Sequence, residues 1–225
     1  MTSALRPVPA FAIGLALFAA ACGSTAGSPS GAATGATPGP SVPASTALLG
    51  SGQPPVETGA PSSTDAATCD APAALTTAQT EGPYFKAGSP EAANLRTPGM
   101  AGTHLTLVGY VVTTDCTAVA DAVVDIWQAD ANGSYDNAGY TLRGHVATDS
   151  SGRFSFETIV PGEYPGRTEH IHVKVTPPGG ATLTTQLYFP GTAANDSDGI
   201  FSPTLLLDIK QSGTDLIGTY TFVLP

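Results

Sequence analysis

Two histidines, His170 and His172, close the run Tyr164-Pro165-Gly166-Arg167-Thr168-Glu169-His170-Ile171-His172, which continues as Val173-Lys174-Val175. Successive side chains of a β-strand point to opposite faces. The two imidazoles therefore share one face, and Ile171, Val173 and Val175 share the other. Arg167 stands three residues before the first histidine and Tyr164 three before that. This pattern predicts a compact polar cluster beside a hydrophobic core. Imidazole is a ligand for iron, zinc and copper, and phenolate also binds iron. Paired histidines can equally line a plain solvent face, so the spacing alone leaves both readings open. Tyr135, Gln186 and the order of all these residues along the chain favour the metal.

The elements that must position these groups are short. His104 to Val112 alternates, with Leu105, Leu107 and Val111 as core candidates. Ala122 to Gln128 is rich in β-branched and aromatic residues and ends in a turn, after which Tyr135 follows Asn132-Gly133-Ser134. Arg143 to Thr148, Arg153 to Ile159, Glu169 to Thr176, Leu183 to Phe189 and Thr219 to Leu224 also read as strands. Asp149-Ser150-Ser151-Gly152 reads as a hairpin turn. Leu75 to Thr80 reads as one helical turn, Glu81 to Phe85 as an extended or turn segment, and Leu205 to Ile209 as a short helix or a turn. Many short strands separated by Gly/Pro turns predict an all-β fold, a two-sheet β-sandwich with short helical turns, over residues 69–225.

Composition adds limits. Eight Lys and Arg stand against 18 Asp and Glu, a net charge of −10. That balance argues against a nucleic-acid partner, which calls for a basic face. From Gly23 to about Thr68 the chain is almost wholly Ser, Thr, Gly, Ala and Pro, with Glu57 and Asp65 its only charges. Such a segment buries too little apolar surface to offset its ordering entropy, so residues 22–68 read as a disordered tether.

Ahead of it, Arg6 and the apolar run Phe11 to Ala21 have the size of a signal h-region, too short to span a bilayer. Residues 1–21 are therefore read as a signal peptide. Small residues just before Cys22 resemble a bacterial lipoprotein signal, which implies lipidation of Cys22 and a lipid anchor as the chain's one membrane contact. An ordinary secretory signal is the alternative, and both export the protein. Of three cysteines, Cys69 and Cys116 then remain as a pair, expected to be a disulfide in an exported protein.

Six stretches in order resemble the intradiol ring-cleavage dioxygenases, the family of catechol and protocatechuate dioxygenases. They are Thr80-Glu81-Gly82-Pro83-Tyr84; Asp125 to Asp130 with Gly133 and Tyr135; Thr148-Asp149 with Gly152; Thr158 to Pro165; Arg167 to His172; and Leu183 to Phe189. The likeness covers the whole expected folded region. It implies a non-haem Fe(III) held by Tyr135, Tyr164, His170 and His172. Two phenolates and a hydroxide would balance the three charges of a buried ferric ion. The resemblance further implies that a small aromatic diol and O2 are the substrates and a muconic acid the product. Tyr164 would be the ligand that departs and takes a substrate proton. Arg167 would stabilise negative charge on the substrate, Gln186 would border the same pocket, and Gly82, Pro83 and Tyr84 would line its mouth.

Bland roles exist for the same residues. Arg167 has Glu163 and Glu169 as possible surface partners, His104 and His145 read as structural or solvated, and Tyr140 is a rival to Tyr135. Asn132-Gly133-Ser134 and Asn195-Asp196-Ser197 match a glycosylation pattern, for which a bacterial-type signal leaves no use. The Tyr164-to-Arg167 spacing is tighter than in the well-known intracellular members, and their helical dimerisation segment is missing. Substrate identity and oligomeric state are thereby left open. The competing functions are a non-catalytic cell-surface sandwich that binds a partner or polysaccharide, and a binder that sequesters iron or catechol without turnover.

Overall fold

The described residues form eight strands, several with alternating burial: β1 (His104–Thr113), β2 (Val123–Gln128), β3 (Arg143–Ala147), β4 (Arg153–Ile159), β5 (His170–Thr176), β6 (Leu183–Tyr188), β7 (Asp208–Ser212) and β8 (Asp215–Leu224). The computed structural model describes residue 67 and residues 69–225. The expected signal peptide, Cys22 and nearly all of the tether lie outside the described residues. One sheet has the order β4-β1-β8-β7 and the other β3-β2-β5-β6. In the first, β1 pairs antiparallel with β4 and parallel with β8. All pairs of the second are antiparallel.

The inward residues are those the alternation singles out. Leu105, Leu107 and Val111 of β1 meet Phe154, Phe156, Phe222 and Leu224 from their own sheet and Val124, Ile126, Ile171, Val173, Val175 and Leu187 from the other. Each such side chain, fully buried, contributes roughly 1.5–3 kcal/mol relative to exposure. The fold is thus the all-β two-sheet sandwich that the sequence predicts. Its helical content among the described residues is two 3-10 turns, Ala193–Asp196 and Pro203–Leu205.

Three local expectations fail. Leu75 to Thr80 is extended, not helical. Thr76 N donates to Val223 O at 3.0 Å and Gln79 N to Thr184 O at 2.8 Å. The sheets satisfy this backbone, and so short a segment cannot sustain a helix by itself. Asp149 to Gly152 does turn, with Gly152 N donating to Asp149 O at 2.9 Å, but it joins β3 to β4, which lie in different sheets, so it is no hairpin. The last strand begins at Asp215, not Thr219, and β7 pairs with it across Gly213-Thr214. Most of β7 is exposed, so it carries no alternation to read.

Cys69 is bonded to Cys116, 47 positions further along the chain, with Cα atoms 5.8 Å apart. The bridge pins the start of the described chain to the turn after β1.

The second sheet also carries a polar row on the face away from the core. Arg143, Trp127, His172 and Gln186 are cross-strand neighbours on β3, β2, β5 and β6, and His170 lies opposite Tyr188 one step along. The intervening Ile126, Ile171 and Leu187 face the core. Loops before β1, after β2, before β5 and after β6 fold over this row. His170 and His172 are consequently buried, at 2 % and 0 % exposure.

Candidate metal centre

A tight turn presents the first phenol. Arg167 N donates to Tyr164 O at 2.9 Å and Tyr164 N to Arg167 O at 3.4 Å. Pro165 and Gly166 are its central residues, and Gly166 has φ +80°. A type II turn wants Pro first and a residue free to take positive φ second. The two side chains emerge together, with Arg167 Nη1 3.4 Å from Tyr164 Oη.

The second phenol arrives from the loop after β2. Asp130 Oδ1 accepts from Asn132 N at 2.8 Å and Ser134 N at 2.9 Å, which closes that loop. Gly133 lies against the backbone of Glu163, and a Cβ there would stand 2.1 Å from the Glu163 carbonyl oxygen. Only a residue without a side chain lets the Tyr135 loop approach Tyr164 this closely. Their rings cross edge to face with centres 5.8 Å apart.

These phenols meet the histidines of β5. Tyr135 Oη and Tyr164 Oη are each 3.4 Å from His170 Nε2, which is 3.2 Å from His172 Nε2. His170 Nδ1 donates to Thr168 O at 2.6 Å. That bond fixes the tautomer and leaves Nε2 with a bare lone pair toward the cluster. Trp127 stacks on the His172 ring, centres 4.8 Å apart and planes within 5°, and so holds it from the other side.

Electrostatics define what this cluster can bind. Burial pushes the His170 imidazole down to about 4, with Arg167 adding to the effect against the Thr168 carbonyl. Burial, then His170, Arg167 and Arg143, hold His172 well below its ordinary value. Both rings are therefore neutral donors near neutral pH. Burial and the neighbouring Tyr164 push the Tyr135 phenol well above its ordinary value, and burial also raises Tyr164, with Arg167 opposing. Phenolates form here only beside strong positive charge.

Among the described residues no group of three or more His, Cys, Asp or Glu could hold a metal, so the phenols are essential to any metal site. Two neutral imidazoles and two phenols, with donor atoms 3.2–3.4 Å apart around His170 Nε2, fit a ferric ion. Ligands at about 2 Å from one ion keep such separations, and a trivalent cation supplies the charge that ionises both phenols.

The mouth residues stand over this cluster. Tyr84 stacks on Tyr135 with ring centres 4.3 Å apart. Gly82 lies on the His172 ring, and Pro83 shapes the exposed turn between them. Lys174 pins the segment by an ion pair with Glu81 and by lying 3.4 Å above the Phe85 ring centre. Gln186 Nε2 donates to Thr80 O at 3.1 Å, while its Oε1 accepts from Arg167 Nη2 and from Tyr188 Oη.

Residues considered as rivals lie elsewhere. The Tyr140 hydroxyl donates to Ala87 O at 2.9 Å. His145 bonds Ser89, and His104 sits between Glu157 and Asp215. Arg167 pairs with neither Glu163 nor Glu169 but with Asp198, Nε to Oδ2 at 2.9 Å. Sequence reasoning missed Asp198 and also Arg143. The latter is 2 % exposed and donates to Tyr84 O at 2.7 Å and Asp136 O at 3.1 Å, and its guanidinium lies 5.9 Å from the Tyr135 ring centre. Neither left a signal in the sequence: Arg143 is placed by its register opposite Trp127, and Asp198 by a loop.

A dioxygenase family model matches residues 80–224. The chain is 31% identical over 172 residues to a chlorocatechol 1,2-dioxygenase of Pseudomonas sp. (strain P51), covering 64% of this chain and 68% of that protein. It is 31% identical over 144 residues to a hydroxyquinol 1,2-dioxygenase of Nocardioides simplex, covering 53% of this chain and 49% of that one. The chain thus spans about half to two thirds of the length of these relatives. Among solved structures, the dioxygenase domain of a dioxygenase carbohydrate-binding protein fusion from Streptomyces sp. SirexAA-E superposes with TM-score 0.66 at 48% identity, covering 67% of this chain and 98% of that one. The match of the family model runs from the Thr80 mouth segment through both phenols and both histidines into β8, and on that ground the chain belongs to the dioxygenase family.

Proposed function

We propose that this chain is a non-haem Fe(III) intradiol dioxygenase that opens the ring of catechol-type aromatics with O2, between the two hydroxylated carbons, to give muconic acid-type products. The observation that carries the reading is the convergence of Tyr135, Tyr164, His170 and His172 on one buried point with no carboxylate among them. A plain binding sandwich has no use for two buried, neutral histidines facing two phenols. When bound, the ferric ion supplies an electron-accepting centre that makes the catechol ring open to attack by O2.

The chain's own residues do the rest. Tyr164 is the less deeply held phenol, on a surface turn beside Arg167. It takes a catechol proton at Oη, as a general base within reach of the incoming hydroxyl. Arg167, fixed at Tyr164 Oη and Gln186, offsets negative charge that develops on the ring oxygen. Tyr84 and Gly82 cap the cluster and exclude water from His172 and Tyr135. Trp127 and the Thr168 carbonyl keep the two imidazoles aimed.

The reading includes export and a lipid anchor at Cys22. The apolar run before Cys22 supports it, as does the Cys69–Cys116 disulfide, which suits an oxidising compartment.

The test is ring cleavage under labelled oxygen. Purified, iron-loaded protein given catechol and 18O2 is expected to yield a muconic acid carrying both labelled atoms. Catechol recovered intact, or a product cut outside the diol, contradicts the proposal.

A further inference from the structure

The cation of the candidate site is already spoken for. Arg167 Nε donates to Asp198 Oδ2 at 2.9 Å, and that carboxylate side chain is 1% exposed. Asp198 is itself immobilised: Oδ2 also accepts from Thr168 N at 3.1 Å, and Oδ1 accepts from Ile200 N at 3.0 Å. Arg167 Nη2 is used on Gln186, which leaves Nη1 directed to Tyr164 Oη. The guanidinium fork is thus held at three corners, and its charge is matched by one buried, ionised carboxylate.

A cleft of about 400 Å³ opens beside Tyr164, lined by Glu163, Pro165, Gly166, Arg167, Ala194 and Ser197. Among the described residues, this cleft has no cation other than Arg167 in its lining. With Arg167 paired, Glu163 leaves this cleft net negative. Arg143 is 2 % exposed beside the Tyr135 ring and does not line the cleft. A carboxylate entering this cleft would meet the field of Glu163 and Asp198, and the lining holds no unpaired cation to offset its desolvation.

We propose that Asp198 is a positioning and specificity-determining residue. It fixes the Arg167 guanidinium with Nη1 toward Tyr164 Oη, where it still serves the ring oxygen as a directed donor, and offsets its charge as seen by a second anion, so the site takes uncharged catechols and disfavours those with a ring carboxylate. This inference rests on the catechol-cleaving function proposed above and deepens it.

Catechol and 3,4-dihydroxybenzoate are compared on the iron-loaded full chain, wild type and Asp198→Asn. Binding is read without turnover by anaerobic calorimetry, and turnover as kcat/KM. Wild type is expected to favour catechol by tenfold or more in both readings, estimated as roughly the effect of one charge a few ångströms from the substrate. Asp198→Asn exposes the Arg167 charge, and the ratio is expected to fall about tenfold, mainly through tighter binding of the carboxylate. It also loosens the fork and lowers kcat for catechol. A purely structural role would weaken both ligands alike.

Equal wild-type affinity for the two ligands overturns the proposal, and this outcome does not depend on how well the variant folds. A folded Asp198→Asn with the wild-type ratio overturns it as well. A protein that binds catechol by this charge rule and never cleaves it counts against the proposed function and leaves the role of Asp198 standing.

Discussion

Tyr135 and Tyr164 are held differently, and the difference assigns them different work. Tyr135 is held in place by stacking beneath Tyr84, so it suits a permanent ligand. Tyr164 sits on the Pro165-Gly166 turn beside an open cleft, so it suits a ligand that departs and accepts a proton. Replacing Tyr164 with Phe removes that acceptor and a donor to the metal while keeping the ring. Oxygen uptake with catechol is expected to fall at least 100-fold, on the order of what general bases contribute, and wild-type uptake in Tyr164→Phe would show that another group takes the proton.

His170 yields a second expectation. Its imidazole protonates near 6.5 in the unfolded chain and about 4 in the fold, chiefly because of burial. Between those values the unfolded state binds more protons, so stability falls as pH falls. Iron-free protein should lose about 3 kcal/mol from this group between pH 6.5 and 4, read as a drop in the denaturant midpoint. Unchanged midpoints across that window would mean that His170 is not buried in the neutral form.

At the scale of elements, the site depends on two loops touching. Gly133 against Glu163 carries the contact that brings Tyr135 to Tyr164. Gly133→Ala places a methyl against a backbone carbonyl at a positive φ of 78°, a strain and overpacking cost of roughly 2 kcal/mol or more. The loop must move, so iron bound per chain is expected to drop with the denaturation midpoint. Full iron occupancy in Gly133→Ala would separate loop contact from metal binding.

This scale also marks what could be read from sequence. His170 and His172 lie on one strand, and Tyr164 and Arg167 on one turn, so period and spacing reveal them. Asp198 reaches Arg167 across 31 positions and Arg143 reaches Tyr84 across 59. Such contacts come from the packing of loops, which local periodicity does not encode. The Asp149 to Gly152 turn has the same lesson, since its residues specify a reversal but not which sheet the next strand joins.

Over the whole molecule, one sandwich separates support from chemistry. The core between the sheets is apolar, and the polar row on the outer face of the second sheet is covered only by loops. The Cys69–Cys116 bridge ties the segment leading to the Thr80 mouth onto the first sheet. Closing 47 residues, it should contribute about 4 kcal/mol through the unfolded chain. The paired substitution Cys69→Ser with Cys116→Ser should lower the unfolding free energy by that order, and equal stability of the two forms would mean that the bridge constrains nothing.

The central claim is that two phenols and two imidazoles of this chain hold one ferric ion. Visible absorption of the purified protein loaded with one equivalent of Fe(III) tests it most directly. Phenolate-to-ferric charge transfer is expected to colour it red to burgundy, with the band weakened and shifted in Tyr135→Phe. A colourless protein that takes up no iron, or a band indifferent to Tyr135, would contradict the account.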